Sequence, residues 1–95
     1  MSAASLPPIE HDPQQQRFVL RLEGHEAELD YLLRDGRLVI THTGVPSAIG
    51  GRGLAARLVA AALEQARVQG VKVVPACSYA AAFVHRHPEY ADVLA

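Results

Sequence analysis

Between Arg17 and Val45 apolar and polar residues alternate with a period of two, the signature of half-buried strands. Phe18, Leu20 and Leu22 alternate with Arg17, Val19 and Arg21, and Glu23-Gly24 reads as a hairpin turn. A second strand runs into Asp35-Gly36, a pair suited to a type I′ turn because both central positions take positive φ. A two-residue loop fixes register, setting Leu33 opposite Leu38, Tyr31 opposite Ile40 and Leu29 opposite His42. By the same logic Leu20 meets Ala27 and Phe18 meets Leu29. The three strands then share one apolar face, Phe18, Leu20, Leu22, Ala27, Leu29, Tyr31, Leu33, Leu38 and Ile40, with His42 at its end. The other face, carrying Glu28, Asp30, Leu32, Val39, Thr41 and Thr43, is expected to be solvated.

After Pro46 the period changes. From Leu54 to Gln69 the apolar residues recur at helical spacing, with Leu54, Leu58, Val59, Ala62, Leu63 and Ala66 on one face, and Gly70 is a natural C-terminal stop. Lys72 to Ala76 predicts a fourth strand, parallel to the third by a right-handed crossover, and Pro75 marks it as short or at an edge. Ser78 to Arg86 predicts a second helix, with Tyr79, Ala82, Phe83 and Arg86 on one side and Pro88 as its end. The sum is an α/β (α+β) domain over residues 17–95: a three-stranded antiparallel meander, a helix, a parallel fourth strand and a C-terminal helix. Met1 to Gln16, rich in Ser, Ala, Pro and Gln, offers little apolar surface to offset ordering entropy and is expected to be a disordered tail.

Composition narrows the function classes. Ninety-five residues at 49% hydrophobic content suit one small domain. A net charge of −1, from nine basic and ten acidic residues, gives no reason to expect nucleic acid or a membrane surface as partner. A single cysteine excludes an internal disulfide and fits a reducing compartment. His85 and His87, two apart, fall on different helix faces, so no metal is expected. No secretory leader pattern is visible, and the expected location is cytoplasmic.

The candidate chemistry centres on Ser47-Ala48-Ile49-Gly50-Gly51-Arg52-Gly53-Leu54-Ala55. A helix start ordinarily carries a Ser, Thr, Asp or Asn cap and acids in its first turn, because free N–H groups and the dipole make that end positive. This helix opens instead on glycines and Arg52. A bound phosphate would explain both, since glycines let backbone N–H groups approach it and Arg52 and Arg57 would add to the dipole. A flexible Gly-rich connection is the plainer reading. No Gly-Lys-Ser/Thr follows, against a Walker loop, and the acid expected about 20 residues past a dinucleotide loop is absent from Val71-Lys72-Val73-Val74-Pro75.

Gly50-Gly51-Arg52-Gly53 resembles the acyl-coenzyme A loop Gln/Arg-x-x-Gly-x-Gly/Ala of the GNAT N-acetyltransferase superfamily, with Ala48 in place of the leading Gln/Arg. His42-Thr43-Gly44-Val45-Pro46, Gly51-Arg52-Gly53-Leu54-Ala55, Val73-Val74-Pro75-Ala76-Cys77-Ser78-Tyr79 and His87-Pro88-Glu89-Tyr90 follow in the order found in its small stand-alone YjdJ-type members. The resemblance runs from Arg17 to the C-terminus and implies a minimal GNAT-like fold that binds acetyl-CoA. It implies that Gly50, Gly51, Arg52, Gly53, Leu54 and Ala55 cradle the pyrophosphate, that the backbone around Thr43 and Val45 pairs with pantetheine and that the Val45 N–H points at the thioester oxygen. It also implies an amine acceptor, a protein lysine or a small amine.

Two side chains are candidates for catalysis. Cys77 sits at the mouth of the last helix, where the dipole favours a thiolate, and would accept an acetyl group; the plainer reading is a small buried residue. His42, at the end of the third strand, is expected to neighbour Cys77 and to act as base; the plainer reading is a hydrogen-bonded core histidine. Phe83 stands where larger GNAT enzymes often carry a general-acid tyrosine, and Tyr79 lies a turn earlier. The acceptor-binding half is short or absent, so a non-catalytic coenzyme A-binding module or partner subunit is the alternative, with a protein partner or homodimer completing the site. A small interaction domain without ligand is the third reading.

Overall fold

The computed structural model describes residues 7–95. Alternation becomes strand wherever the sequence led one to expect it, and in one place where it did not. The strands are β1 (Ile9–Asp12), β2 (Arg17–Leu22), β3 (His25–Arg34), β4 (Arg37–Gly44) and β5 (Lys72–Pro75), adjacent in that order in one sheet. β1 to β4 run antiparallel and β5 lies parallel to β4. Helix α1 (Leu54–Gln69) connects β4 to β5, helix α2 (Ser78–Arg86) follows β5, and 3-10 turns occupy Ser47–Ile49 and Pro88–Val93. The mixed α/β architecture is as predicted, except that the meander has four strands and the parallel strand is the fifth.

The additional strand corrects the disordered-tail expectation for Met1 to Gln16, of which Met1 to Leu6 lie outside the described residues. In β1, Ile9 pairs with Leu20 and His11 with Phe18. The His11 ring stacks on Phe18 with centroids 4.2 Å apart, and its Nε2 lies 2.6 Å from the Tyr31 hydroxyl. Burial draws the His11 pKa below its ordinary value, which favours the neutral ring as acceptor of the Tyr31 O–H. Asp12 Oδ1 accepts the Gln15 N–H at 3.2 Å in the turn that follows. Beside the ladder to β2, the side-chain anchors of this strand on the core side are one isoleucine and a stacked histidine, which composition counts as polar.

Helix α1 forms over the expected span, and Gly70 caps it in the left-handed region, φ 72°, with its N–H directed to the carbonyls of Ala66 and Arg67. Its six predicted core residues are all buried, packed on Phe18, Leu20, Leu29, Leu38 and Ile40 of the sheet. Full burial of a side chain such as Leu58 or Leu63 contributes about 1.5–3 kcal/mol over leaving it in water. Helix α2 buries Ala80 and Phe83, while Tyr79 and Ala82 are exposed, so its inward side runs Cys77-Ala80-Phe83 rather than along the predicted stripe. Leu33 was expected in the core but is 56% exposed, beside the β3–β4 turn, and Leu22 is only half-buried beside the β2–β3 turn. Both helices join one core with the inner face of the sheet. No helix among the described residues is long and apolar enough to cross a membrane.

Candidate active site

The register from the Asp35-Gly36 turn holds for four pairs, beginning with Arg34 and Arg37, and then slips. Leu33 pairs with Leu38, Leu32 with Val39 and Tyr31 with Ile40, but Asp30 then pairs with His42, Leu29 with Thr43 and Glu28 with Gly44. Thr41 is the extra residue of a β-bulge, and its Oγ1 donates to the Asp30 carbonyl at 3.2 Å. A one-residue slip moves every later side chain to the other face. His42, expected opposite Leu29 at the end of the apolar face, therefore lies on the outer face beside Glu28, with its side chain 57% exposed. Thr43 takes the inner position. Nothing in Thr41-His42-Thr43 signals the bulge, because the run is polar on either register.

The same stretch is where the sheet opens. β5 pairs with β4 only from Arg37 to Ile40, and the N–H groups of Ala76 and Cys77 both close on the Ile40 carbonyl, at 2.9 and 3.0 Å. From Thr41 to Gly44 no strand among the described residues lies on that side of β4. Cys77 is the N-cap of α2 and half-buried; its Sγ accepts the Ala80 N–H at 3.3 Å and lies 3.4 Å from Thr43 Oγ1. The expected neighbour of Cys77 was His42, and the bulge substitutes Thr43.

Beyond Pro46 the 3-10 turn buries Ile49, which anchors the glycine loop to the core. Gly51 and Gly53 adopt φ of 75° and 74°, a region costly for other residues. Gly53 is the N-cap of α1, with no side-chain cap and no acid in the first turn. Leu54 is buried, so only its backbone is available to a ligand, and Ala55 is half-buried. Arg57 Nη2 donates to the Pro7 carbonyl at 2.9 Å, and its Nη1 is buried without a hydrogen-bond partner among the described residues. An uncapped helix start, left-handed glycines and an orphaned guanidinium N–H together fit an anionic group. Sequence reading missed that Arg52 is already engaged: it donates to both oxygens of Glu23, at 2.8 and 3.0 Å, and holds the Glu23 carboxyl below its usual pKa. The two residues are 29 apart, and only the β2–β3 turn brings them together.

On the outer face, Arg17 pairs with Asp30 at 3.2 Å and Arg21 bridges Glu10 and Glu26, at 2.7 and 3.2 Å. Glu28, Asp30 and His42 present ligand-type atoms within 4.8 Å of one another, a grouping that their spacing along the chain does not reveal. A dication there would have to compete with the Arg17 guanidinium for Asp30.

Residues 17–93 match the sequence profile of the GCN5-related N-acetyl-transferase family. The chain belongs to that family. Protein NATD1 of Mus musculus is 39% identical over 83 residues, covering 84% of this chain and 76% of that protein. Protein NATD1 of Homo sapiens is 37% identical over the same length, covering 84% and 74%. A GCN5-like protein of Staphylococcus aureus, solved by NMR, superposes with a TM-score of 0.75 at 29% identity, covering 96% of this chain and 90% of its own. In GCN5-related N-acetyltransferases acetyl-CoA is the general acetyl donor. In this member the anion-ready glycine loop and the open edge of β4 lie at the same end of the sheet, since the β2–β3 turn reaches both Arg52 and, through β3, the end of β4.

Proposed function

We propose that this GCN5-related N-acetyltransferase transfers an acetyl group from acetyl-CoA to a primary amine. The observation that carries the reading is the uncapped, acid-free start of α1 behind left-handed Gly51 and Gly53, with Arg57 Nη1 left without a hydrogen-bond partner among the described residues. Backbone N–H groups from Gly51 to Ala55, with Arg52 and Arg57, would hold the pyrophosphate, whereas the Gly50 N–H is already given to the Ser47 carbonyl at 3.1 Å. The unpaired edge of β4 at Thr43 and Gly44, continued by Val45, would hold the pantetheine arm. Bound acetyl-CoA supplies the thioester, and main-chain donors at Val45 would face its oxygen, where negative charge builds in the transition state.

His42 and Cys77 are proposed for separate tasks because they belong to opposite faces. His42, exposed at the outer side, would take a proton from the amine. Cys77, with Thr43 and the Ala80 N–H at its sulfur, would be an acetyl acceptor in a two-step route. Phe83, buried and stacked on His87 with centroids 4.2 Å apart, has no ionisable proton to give a leaving thiolate. That observation favours a second reading, a module that binds coenzyme A without turnover.

Acetyl-CoA consumption over a panel of amines separates the two. Measurable transfer is expected, and tight coenzyme binding without transfer to any amine would support the binding module instead. Intact-mass analysis after exposure to acetyl-CoA then assigns the route: a hydroxylamine-labile acetyl group on Cys77 marks the two-step path. Substantial turnover in both Cys77→Ala and His42→Ala would remove both assigned roles.

A further inference from the structure

The two edges of the sheet end differently. Beyond β5 the chain covers its own edge: Leu94 bridges to Val73, and the Ala95 N–H donates to the Val73 carbonyl at 2.9 Å. Beyond β1 no strand lies among the described residues, which leaves the outward backbone groups of Ile9–Asp12 open to pairing. On the helix side of that edge is a cavity of about 330 Å³, walled by Ile9, His11 and Phe18 from the sheet and by Ala61, Gln65 and Val68 from α1. Val68 is 81% exposed, the most exposed large apolar side chain among the described residues. A strand added to β1 would deliver an apolar side chain to this cavity, because residues on one face of neighbouring strands lie side by side, here with Ile9 and His11.

The alternate positions of β1 say what else the added strand must carry. Glu10 and Asp12 lie on the outer face, opposite Val19 and Arg17. Glu10 shares Arg21 with Glu26, and Asp12 has no ion-pair partner among the described residues. Pairing with the β1 of a second copy would set these acids against each other, or against Pro8, which has no N–H to give; like charges directly opposite are destabilising. Basic residues at the outward positions would instead be attracted to them. We infer that the free edge of β1 and the cavity beside it dock an extended polypeptide in which apolar and basic residues alternate. Backbone pairing along β1 supplies the attachment, the cavity takes an apolar side chain, and Glu10 and Asp12 face lysine or arginine. The docking surface shares no residue with the glycine loop, Thr43 or Cys77, so it stands apart from the acetyl-transfer reading.

The test adds three end-blocked seven-residue peptides to the full chain: alternating lysine and valine, alternating glutamate and valine, and alternating lysine and serine. The lysine–valine peptide should shift the backbone amide NMR signals of Ile9–Asp12 and slow their hydrogen exchange. It should also bind about tenfold or more tightly than either of the others, one of which lacks the charge and the other the apolar side chains. Ala61→Leu, which fills the cavity from α1, and Val68→Ser, at an exposed position, should each weaken that binding about fivefold or more at unchanged coenzyme A affinity. Should Ala61→Leu fail to fold, Val68→Ser decides alone. No shift at β1, shifts that all three peptides produce alike, or binding unchanged in the variants would overturn the docking site. A concentration-dependent dimer in sedimentation equilibrium, with slowed exchange at Ile9–Asp12 and no peptide bound, would overturn it in favour of a second copy.

Discussion

The two faces of β4 at its open end have opposite chemistry. On the inner face Thr43 and Cys77 touch across 3.4 Å against a closed apolar core, and on the outer face His42 and Glu28 pair at 3.4 Å, partly in water. Strand alternation alone would put His42 with Cys77. The bulge at Thr41 separates them, sending imidazole and thiol to different sides of one strand. The difference shows how a single inserted residue can put an imidazole and a thiol on opposite faces of one strand without any change in composition.

The largest expected effect belongs to the inner face. Leu58→Ala, under a fully buried helix position, should destabilise the domain by about 2–5 kcal/mol, whereas Leu32→Ala, already 41% exposed on the outer face, should cost well under half of that. Chemical denaturation of both variants checks the contrast; equal losses would mean that the outer face is covered in solution. Next in size is Gly51→Asp, which puts a carboxylate into the loop. Coenzyme A binding should fall at least a hundredfold with only a modest stability change, read by calorimetry and thermal unfolding. A stability change with no ligand to lose would favour the interaction domain without coenzyme.

A smaller effect separates the two faces chemically. Thr43→Val removes the hydroxyl beside Cys77 and should change the rate of Cys77 alkylation by iodoacetamide several-fold, while His42→Ala leaves it within twofold. Equal effects would mean that His42 reaches the thiol after all. The smallest concerns β1. Burial lowers the His11 pKa in the folded chain, so between that value and the unfolded value of about 6.5 the unfolded state binds more protons. Stability should therefore be full above pH 6.5 and decline as the pH falls below it. His11→Phe should flatten that slope in thermal melts from pH 8 to 5.

Much of this was legible in the chain. The Asp35-Gly36 turn set the first four pairs of β3 and β4, and the 3.6-residue period set α1 and its six buried positions. What escaped reading depended on single events that carry no pattern. β1 is held by His11 stacking on Phe18, an aromatic use of a residue that alternation scores as polar. The bulge at Thr41 lies in a run of polar residues, where either register is equally acceptable, so neither the face of His42 nor the partner of Cys77 could be read. The Arg52–Glu23 pair joins two turns that meet only in the folded sheet. The glycine loop was readable for the opposite reason, since it departs from what a helix start ordinarily carries.

The most direct test of the account is titration of the intact chain with acetyl-CoA, free coenzyme A and NADH, by calorimetry and thermal unfolding. Both coenzyme A forms should bind and NADH should not, and at about a hundred times its Kd a specific ligand adds about 2.7 kcal/mol of stability, a clear shift for a domain of this size. Binding of none of the three would contradict the coenzyme site at α1, and NADH binding alone would return the loop to a dinucleotide role.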